Sequence, residues 1–240
     1  MPSKYVVRNF AEDSYYHIFN RGVEKRNIFL DEKDYRFFEI YLSIYLQPLK
    51  KVLEKHPDLP LRLHNKNLSE EVELIAYCLM PNHFHLLLKQ KTKDGISKLM
   101  KQMSNAYTLY FNQKHKRVGG LMQGRFKAVP ILEDRLLIHI ARYIHLNPVA
   151  SGLTRDLNTY RWSSYPDYLG KSSTFFSPST DSYGKPRSFG KVLDKEAFLP
   201  CSKDEILGHF KSIEDFKKFH EDQIDYAKKL NSIKHIAIES

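Results

Sequence analysis

Cysteine is nearly missing from this chain: Cys78 and Cys201 are the only two in 240 residues. Two thiols cannot build a disulfide framework or a cysteine-type zinc site. Cys78 sits in an apolar run and reads as a buried thiol. No apolar stretch reaches the length of a membrane span. Residues 1–13 are polar and lack the apolar core of a signal peptide. A reducing cytoplasm and no membrane partner are therefore expected. No internal repeat is visible. Acidic residues are the scarcer charge, 28 Asp and Glu against 38 Lys and Arg, for a net charge of +10 and a pI near 9.4. That excess favours a polyanionic partner, nucleic acid before membrane. A merely soluble basic protein would carry the same balance. Hydrophobic residues at 42% suffice for a real core and argue against wholesale disorder.

The chain suits one large domain with an appendage. Residues 15–20 (YYHIFN) are aromatic and β-branched and predict a first strand, ended by Arg21-Gly22. Asp31 can cap a helix running through Tyr35, Phe38, Leu42 and Tyr45, closed by Pro48. Residues 50–69 look polar and irregular. Residues 72–79 and 83–89 form two strands joined at Pro81-Asn82, a hairpin. Ile96, Leu99, Met103, Tyr107 and Tyr110 recur at helical spacing up to about Lys114, a stripe that reads as core packing. Gly119, Gly120 and Gly124 frame a loop before a fourth strand at 126–132. Glu133-Asp134 opens a third helix that Pro148 should stop. The order β-α-β-β-α-β-α predicts an α+β fold with a ferredoxin-like core, an antiparallel sheet with helices on one side. Residues 1–170 form the expected catalytic domain, 171–191 a Ser-, Gly- and Pro-rich linker or long loop, and 192–240 a C-terminal helical extension.

The most informative segment is PNHFHLLL, residues 81–88. On a strand, His83 and His85 share a face about 7 Å apart, with Phe84 and Leu86 on the other. Two neutral imidazoles so placed can grip a divalent metal. With 11 His in 240 residues, chance alone supplies about half a His-x-His match, so the pair needs company.

The third helix supplies it. At roughly 100° per residue, Tyr143 and Asn147 lie about 40° apart, one turn from each other, at the margin of the apolar face. His145 points well away from Tyr143 and falls outside such a site. A tyrosine beside a metal can attack phosphorus and form a phosphotyrosine. The metal polarises the phosphate. Asn147 offers a carbonyl oxygen as a third ligand for a hard cation. Core packing is the plain alternative for any one of 15 tyrosines.

PNHFHLLL and RYIHLNPVASG together resemble the HUH single-strand DNA transposases. The nearest likeness is to single-tyrosine insertion-sequence transposases and their REP-associated tyrosine relatives. FNRG at 19–22, QGRFKAV at 123–129 and YRWSSY at 160–165 extend the match over roughly residues 14–170. The resemblance implies a Mg²⁺ or Mn²⁺ site and cleavage of single-stranded DNA near a hairpin. It makes Tyr143 the nucleophile and His83 and His85 metal ligands. Asn147 stands where the insertion-sequence branch has Gln, as in the REP-associated branch. Tyr107 and Tyr110 are rival nucleophiles, but both fit the packing stripe. A homodimer with swapped sites and a monomer are both compatible with the likeness.

Lys114, Lys116, Arg117, Arg125 and Lys127 surround the glycine loop and are expected to meet phosphates. Arg21 and Arg142 lie near the proposed site in sequence. The competing function is a non-catalytic single-strand nucleic-acid-binding module on the same topology, or a domesticated protein that keeps only DNA binding. No RNP1-like string supports the module.

Overall fold

The computed structural model describes residues 10–171 and 201–225. Residues 1–9, 172–200 and 226–240 lie outside the described residues, and with them most of the expected linker and the end of the C-terminal extension.

Strand β1 (Ser14–Arg21) leads through a short 3-10 turn to helix α1 (Glu32–Leu46). The Asp31 carboxylate accepts the Asp34 backbone N–H, the cap expected of it. The stretch expected to be irregular instead carries two short helices, α2 (Leu49–Lys55) and α3 (Leu61–His64). Val52 and Leu63 are the residues they bury, too few apolar positions for periodicity to reveal a helix. β2 (Val72–Met80) and β3 (His83–Gln90) form the hairpin. Then come α4 (Gly95–Lys114), β4 (Lys127–Ile131) and α5 (Asp134–Ala150).

The four strands make one antiparallel sheet in the order β2-β3-β1-β4. This is the ferredoxin-like arrangement expected from the element order. Directly paired residues share a face. Phe19 faces His85 and Arg21 faces His83 across β1–β3, and Phe19 faces Lys127 across β1–β4. One face therefore carries His17, Phe19, Arg21, His83, His85 and Lys127. The other carries Ile18, Phe84 and Leu86, all buried.

Helices α1 and α4 cover the Phe84 face: Phe38 meets Phe84 at 5.1 Å and Tyr107 at 5.2 Å between ring centroids. Helix α5 lies on the opposite face, against β2 and β3. The two helices of the ferredoxin-like core thus lie on one side of the sheet, as expected, and the third helix takes the other side. Both faces of β3 carry apolar residues, so both need cover.

Pro148 does not stop α5, which runs to Ala150. A proline this late removes only one bond of the last turn. Ser151 N–H to the Asn147 carbonyl (2.9 Å) and Leu153 N–H to that of Pro148 (2.9 Å) finish the helix.

Beyond α5, the chain returns along the outer edge of β2. Leu79 N–H donates to the Trp162 carbonyl (2.8 Å) and Ser164 N–H to that of Tyr77 (3.0 Å). This return blunts one sheet edge. A single turn, α6 (Tyr165–Tyr168), follows. The C-terminal extension supplies α7 (Asp204–Leu207) and α8 (Ile213–Glu221). Phe216 of α8 is fully buried and stacks on Tyr168 at 5.3 Å. The extension is packed into the layer that holds α5. Among the described residues no helix is long and apolar enough to cross a membrane.

Candidate active site

Three of the sequence motifs meet at one end of the sheet. The Pro81-Asn82 turn accepts the Gly22 N–H on the Asn82 carbonyl (2.9 Å) and the Ile28 N–H on the Pro81 carbonyl (2.8 Å). The glycine loop is strapped alongside: Val23 N–H donates to Leu121 (3.0 Å), Gln123 N–H to Arg21 (2.8 Å) and the Asn20 amide to Gly124 (3.2 Å), each at the carbonyl. FNRG, PNH and QGRF thus form one frame. Gly22 is required there, because a Cβ would stand 2.2 Å from the Arg26 carbonyl oxygen.

Within this frame His83 and His85 share a sheet face, their ring centroids 4.9 Å apart. The His83 Nδ1–H donates to the Asn82 side-chain oxygen at 2.6 Å, which leaves the lone pair on Nε2. His85 Nδ1 lies 2.9 Å from Nε2 of His17, a buried hydrogen bond between neighbouring strands. Helix α5 brings Tyr143 over this pair. Its ring stands edge-to-face to His85 (5.6 Å, 83°) and to His17 (5.8 Å, 75°). Tyr143 is half-buried, whereas Asn147, one turn on, is buried. The Asn147 amide NH₂ donates to the Tyr143 carbonyl at 2.8 Å, so its oxygen is directed away from the helix backbone.

Among the described residues no group of three or more His, Cys, Asp or Glu is arranged to hold a metal ion. A site here must therefore rest on two imidazoles and a neutral oxygen. Each imidazole has one nitrogen engaged by a neighbour, the arrangement that fixes a ligating ring, and Asn147 keeps its amide oxygen off its own hydrogen bond to Tyr143.

The rival tyrosines are elsewhere. Tyr107 and Tyr110 belong to α4, in the layer beyond the sheet, and both are buried. The Tyr107 hydroxyl donates to the Ile28 carbonyl, and the Tyr110 ring stacks on Phe37 at 3.8 Å.

The seven expected phosphate contacts separate into groups. Arg21 pairs with His83 and Lys127 with Phe19 on the histidine face. Lys116 and Arg125 are exposed on the loop. Lys114 instead bridges Asp31 and Asp34, the latter at 2.7 Å. Arg117 donates to the Asn112 side chain at the end of α4 and to the Gly120 carbonyl of its own loop. Arg142, adjacent to Tyr143 in sequence, turns to α8, where it donates to the Phe219 carbonyl (3.0 Å) and lies 3.9 Å from that ring's centre. One residue along a helix turns the side chain by about 100°, which is why adjacency to Tyr143 did not put Arg142 beside it.

Sequence reasoning missed His17. A signal existed: β1 alternates Tyr15, His17, Phe19 and Arg21 on one face, so His17 shares a side with Arg21. The buried pair His145 and His220 was also unforeseen. His145 bonds His220 at 3.0 Å and the Ser164 hydroxyl at 2.9 Å, joining α5 to α8.

Residues 11–147 match the family described as Transposase IS200 like. That span holds His17, His83, His85, Tyr143 and Asn147. A Haemophilus influenzae protein provisionally described as a REP-associated tyrosine transposase is 24% identical over 148 residues, covering 58% of this chain and 76% of that protein. A solved REP-associated tyrosine transposase bound to a REP hairpin is similar with a TM-score of 0.46 and 15% identity, over 82% of this chain and 99% of that one.

Proposed function

The chain belongs to the IS200-like transposase family, and from that premise we propose that it is a site-specific endonuclease and strand transferase for single-stranded DNA, with Tyr143 as its nucleophile. The observation that carries this reading is the Tyr143 ring seated over His85 and His17, with His83 at the rim. In the proposed step the Tyr143 oxygen bonds to a backbone phosphorus as the phosphorus–3′-oxygen bond breaks. The phenol loses its proton and the departing 3′-oxygen gains one. The products are a 5′-phosphotyrosine and a free 3′-hydroxyl. Attack by another 3′-hydroxyl reverses the step and joins strands, since the phosphoester bond energy is kept.

A neutral phenol is a poor nucleophile, so neighbouring groups must favour its attack. His83, His85 and Asn147 would hold Mg²⁺ or Mn²⁺, which supplies polarisation of the phosphate and offsets its developing charge. Arg21 and Lys127 share the face of His83 and His85 and would grip the phosphates of the incoming strand. Lys116 and Arg125 would extend that contact over the loop. Lys114, Arg117 and Arg142 make their contacts to Asp31 and Asp34, to the Gly120 carbonyl and to Phe219, away from the histidine pair, and take a lesser part. Preference for hairpin-bearing DNA is what the resemblance of PNHFHLLL and RYIHLNPVASG implies.

A 3′-end-labelled hairpin oligonucleotide incubated with Mn²⁺ tests the reading. The wild-type protein should become covalently labelled, with Tyr143 as the modified residue by mass spectrometry. Tyr143→Phe removes one oxygen and should abolish cleavage and adduct while keeping fold and DNA affinity. An adduct on Tyr107 or Tyr110, or cleavage by Tyr143→Phe, would show the wrong helix has been chosen.

A further inference from the structure

We propose that His17 is a positioning residue, fixing His85 in the tautomer and orientation in which Nε2 faces a cation and supporting the Tyr143 ring. The inference rests on the metal reading of His83 and His85 above.

His17 is 7% exposed on β1, within the sheet frame and away from bulk water. Its Nε2 lies 2.9 Å from His85 Nδ1. Two imidazole nitrogens at that distance share one proton, so one donates and the other accepts. If His85 ligates through Nε2, its proton must sit on Nδ1 and His17 must accept through Nε2. His17 then carries its own proton on Nδ1. The bond therefore selects one tautomer for each ring. His83 is set in the same way from the other side, by the Asn82 side-chain oxygen on its Nδ1. Each imidazole of the pair thus has a dedicated partner on its Nδ1, and those partners come from the turn and from β1.

The second task is steric. The rings of His17 and His85 are near-parallel, 24° apart with centroids at 5.1 Å, and together make a floor. Tyr143 meets both rings at near-perpendicular angles. Phe19 closes the far side of the floor, 5.0 Å from His17 and 5.9 Å from His85. Losing the His17 ring would leave Tyr143 with one support in place of two. The hydrogen bond and the ring can be removed separately, which makes the proposal testable.

His17→Phe keeps a flat ring and deletes the acceptor. His17→Gln keeps an acceptor and deletes the ring. Mn²⁺ binding to the full-length protein is measured by electron paramagnetic resonance, with His83→Ala/His85→Ala as the control and circular dichroism to confirm folding. Wild type should bind one Mn²⁺ that the double variant loses. His17→Phe should bind about 10–100-fold more weakly, the range typical for loss of a ligand's outer partner. His17→Gln should recover part of that loss. A structural role alone would lower the melting temperature of His17→Phe and leave Mn²⁺ affinity unchanged, and that result overturns the proposal. Equal Mn²⁺ binding by wild type and the double variant overturns the metal reading and this inference with it. Nitrogen-15 spectra of histidine-labelled wild-type protein give a check that needs no variant. His85 should show the Nδ1–H tautomer, and an Nε2–H signal would refute the inference.

Discussion

A single missing side chain shapes the site end of the sheet. Gly22 lets the chain turn so closely that a Cβ would stand 2.2 Å from the Arg26 carbonyl oxygen, while its N–H holds the Asn82 turn. Gly22→Ala should therefore cost about 1–3 kcal/mol, the usual range for overpacking. A urea midpoint equal to wild type would contradict that close approach. Glu39 is a second telling residue. It is buried on α1, accepts a hydrogen bond from the Tyr77 hydroxyl at 3.1 Å, and burial pushes its carboxyl up to about 8. Its native pKa lies above that of the unfolded chain, so the folded state binds the proton more tightly. That contribution is complete below about pH 4.5 and is lost as pH rises through about 8. The stability difference between wild type and Glu39→Gln should shrink or reverse from pH 5 to pH 9. A constant difference would mean the carboxyl is not buried as described. The placement of the candidate site residues was legible where period and position agreed: His83 and His85 on one face by alternation, Tyr143 and Asn147 one helical turn apart. His17 was not, because its partner is 68 positions away in sequence and only the β1–β3 register joins them.

At the scale of elements, strands and long helices followed from alternation and from apolar stripes. The helices of residues 49–64 did not, since each buries a single residue and packing rather than periodicity holds it. The placement of α8 was also hidden, because a long-range contact carries no local signal. His145 and His220 form that joint, both buried, with Arg142 beside them on α5. Burial holds His145 well below the usual imidazole range, and burial takes His220 down to about 4, with Arg142 adding to it. Depressed native pKa values mean the joint is fully stabilising above pH 6.5 and weakens as pH falls through about 4. Acid should loosen α8 from α5 before the sheet unfolds. Amide exchange of Ile213–Glu221, corrected for intrinsic rates, should rise between pH 7 and pH 4.5 relative to that of β3. Equal protection of the two at both pH values would count against a histidine-held joint.

For the whole molecule, net charge of +10 is a weak statement until the sheet sorts it. The topology fixes which cations share the histidine face. Arg21 and Lys127 stand on the histidine face, Arg21 two residues beyond Phe19 along β1 and Lys127 paired with Phe19 on the β4 edge strand, where Pro130 limits further pairing. Lys114 carries the same charge and belongs to another part of the structure: it bridges Asp31 and the buried Asp34, which the His115 ring also contacts. Composition counts these three cations alike, and the fold separates them into a pair on the histidine face, the proposed phosphate contacts, and a structural one. Salt dependence reads that separation. Every phosphate of single-stranded DNA that the protein no longer neutralises should lower the slope of log affinity against log salt by about 0.7. Arg21→Gln/Lys127→Gln should therefore flatten the slope by about 1.4. Lys114→Gln should leave the slope alone. It leaves Asp34 short of a partner in a buried position, so the melting temperature should fall while the slope stays as in wild type. A flattened slope in Lys114→Gln with unchanged stability, or an unchanged slope in the double variant, would place the DNA path away from the histidine face.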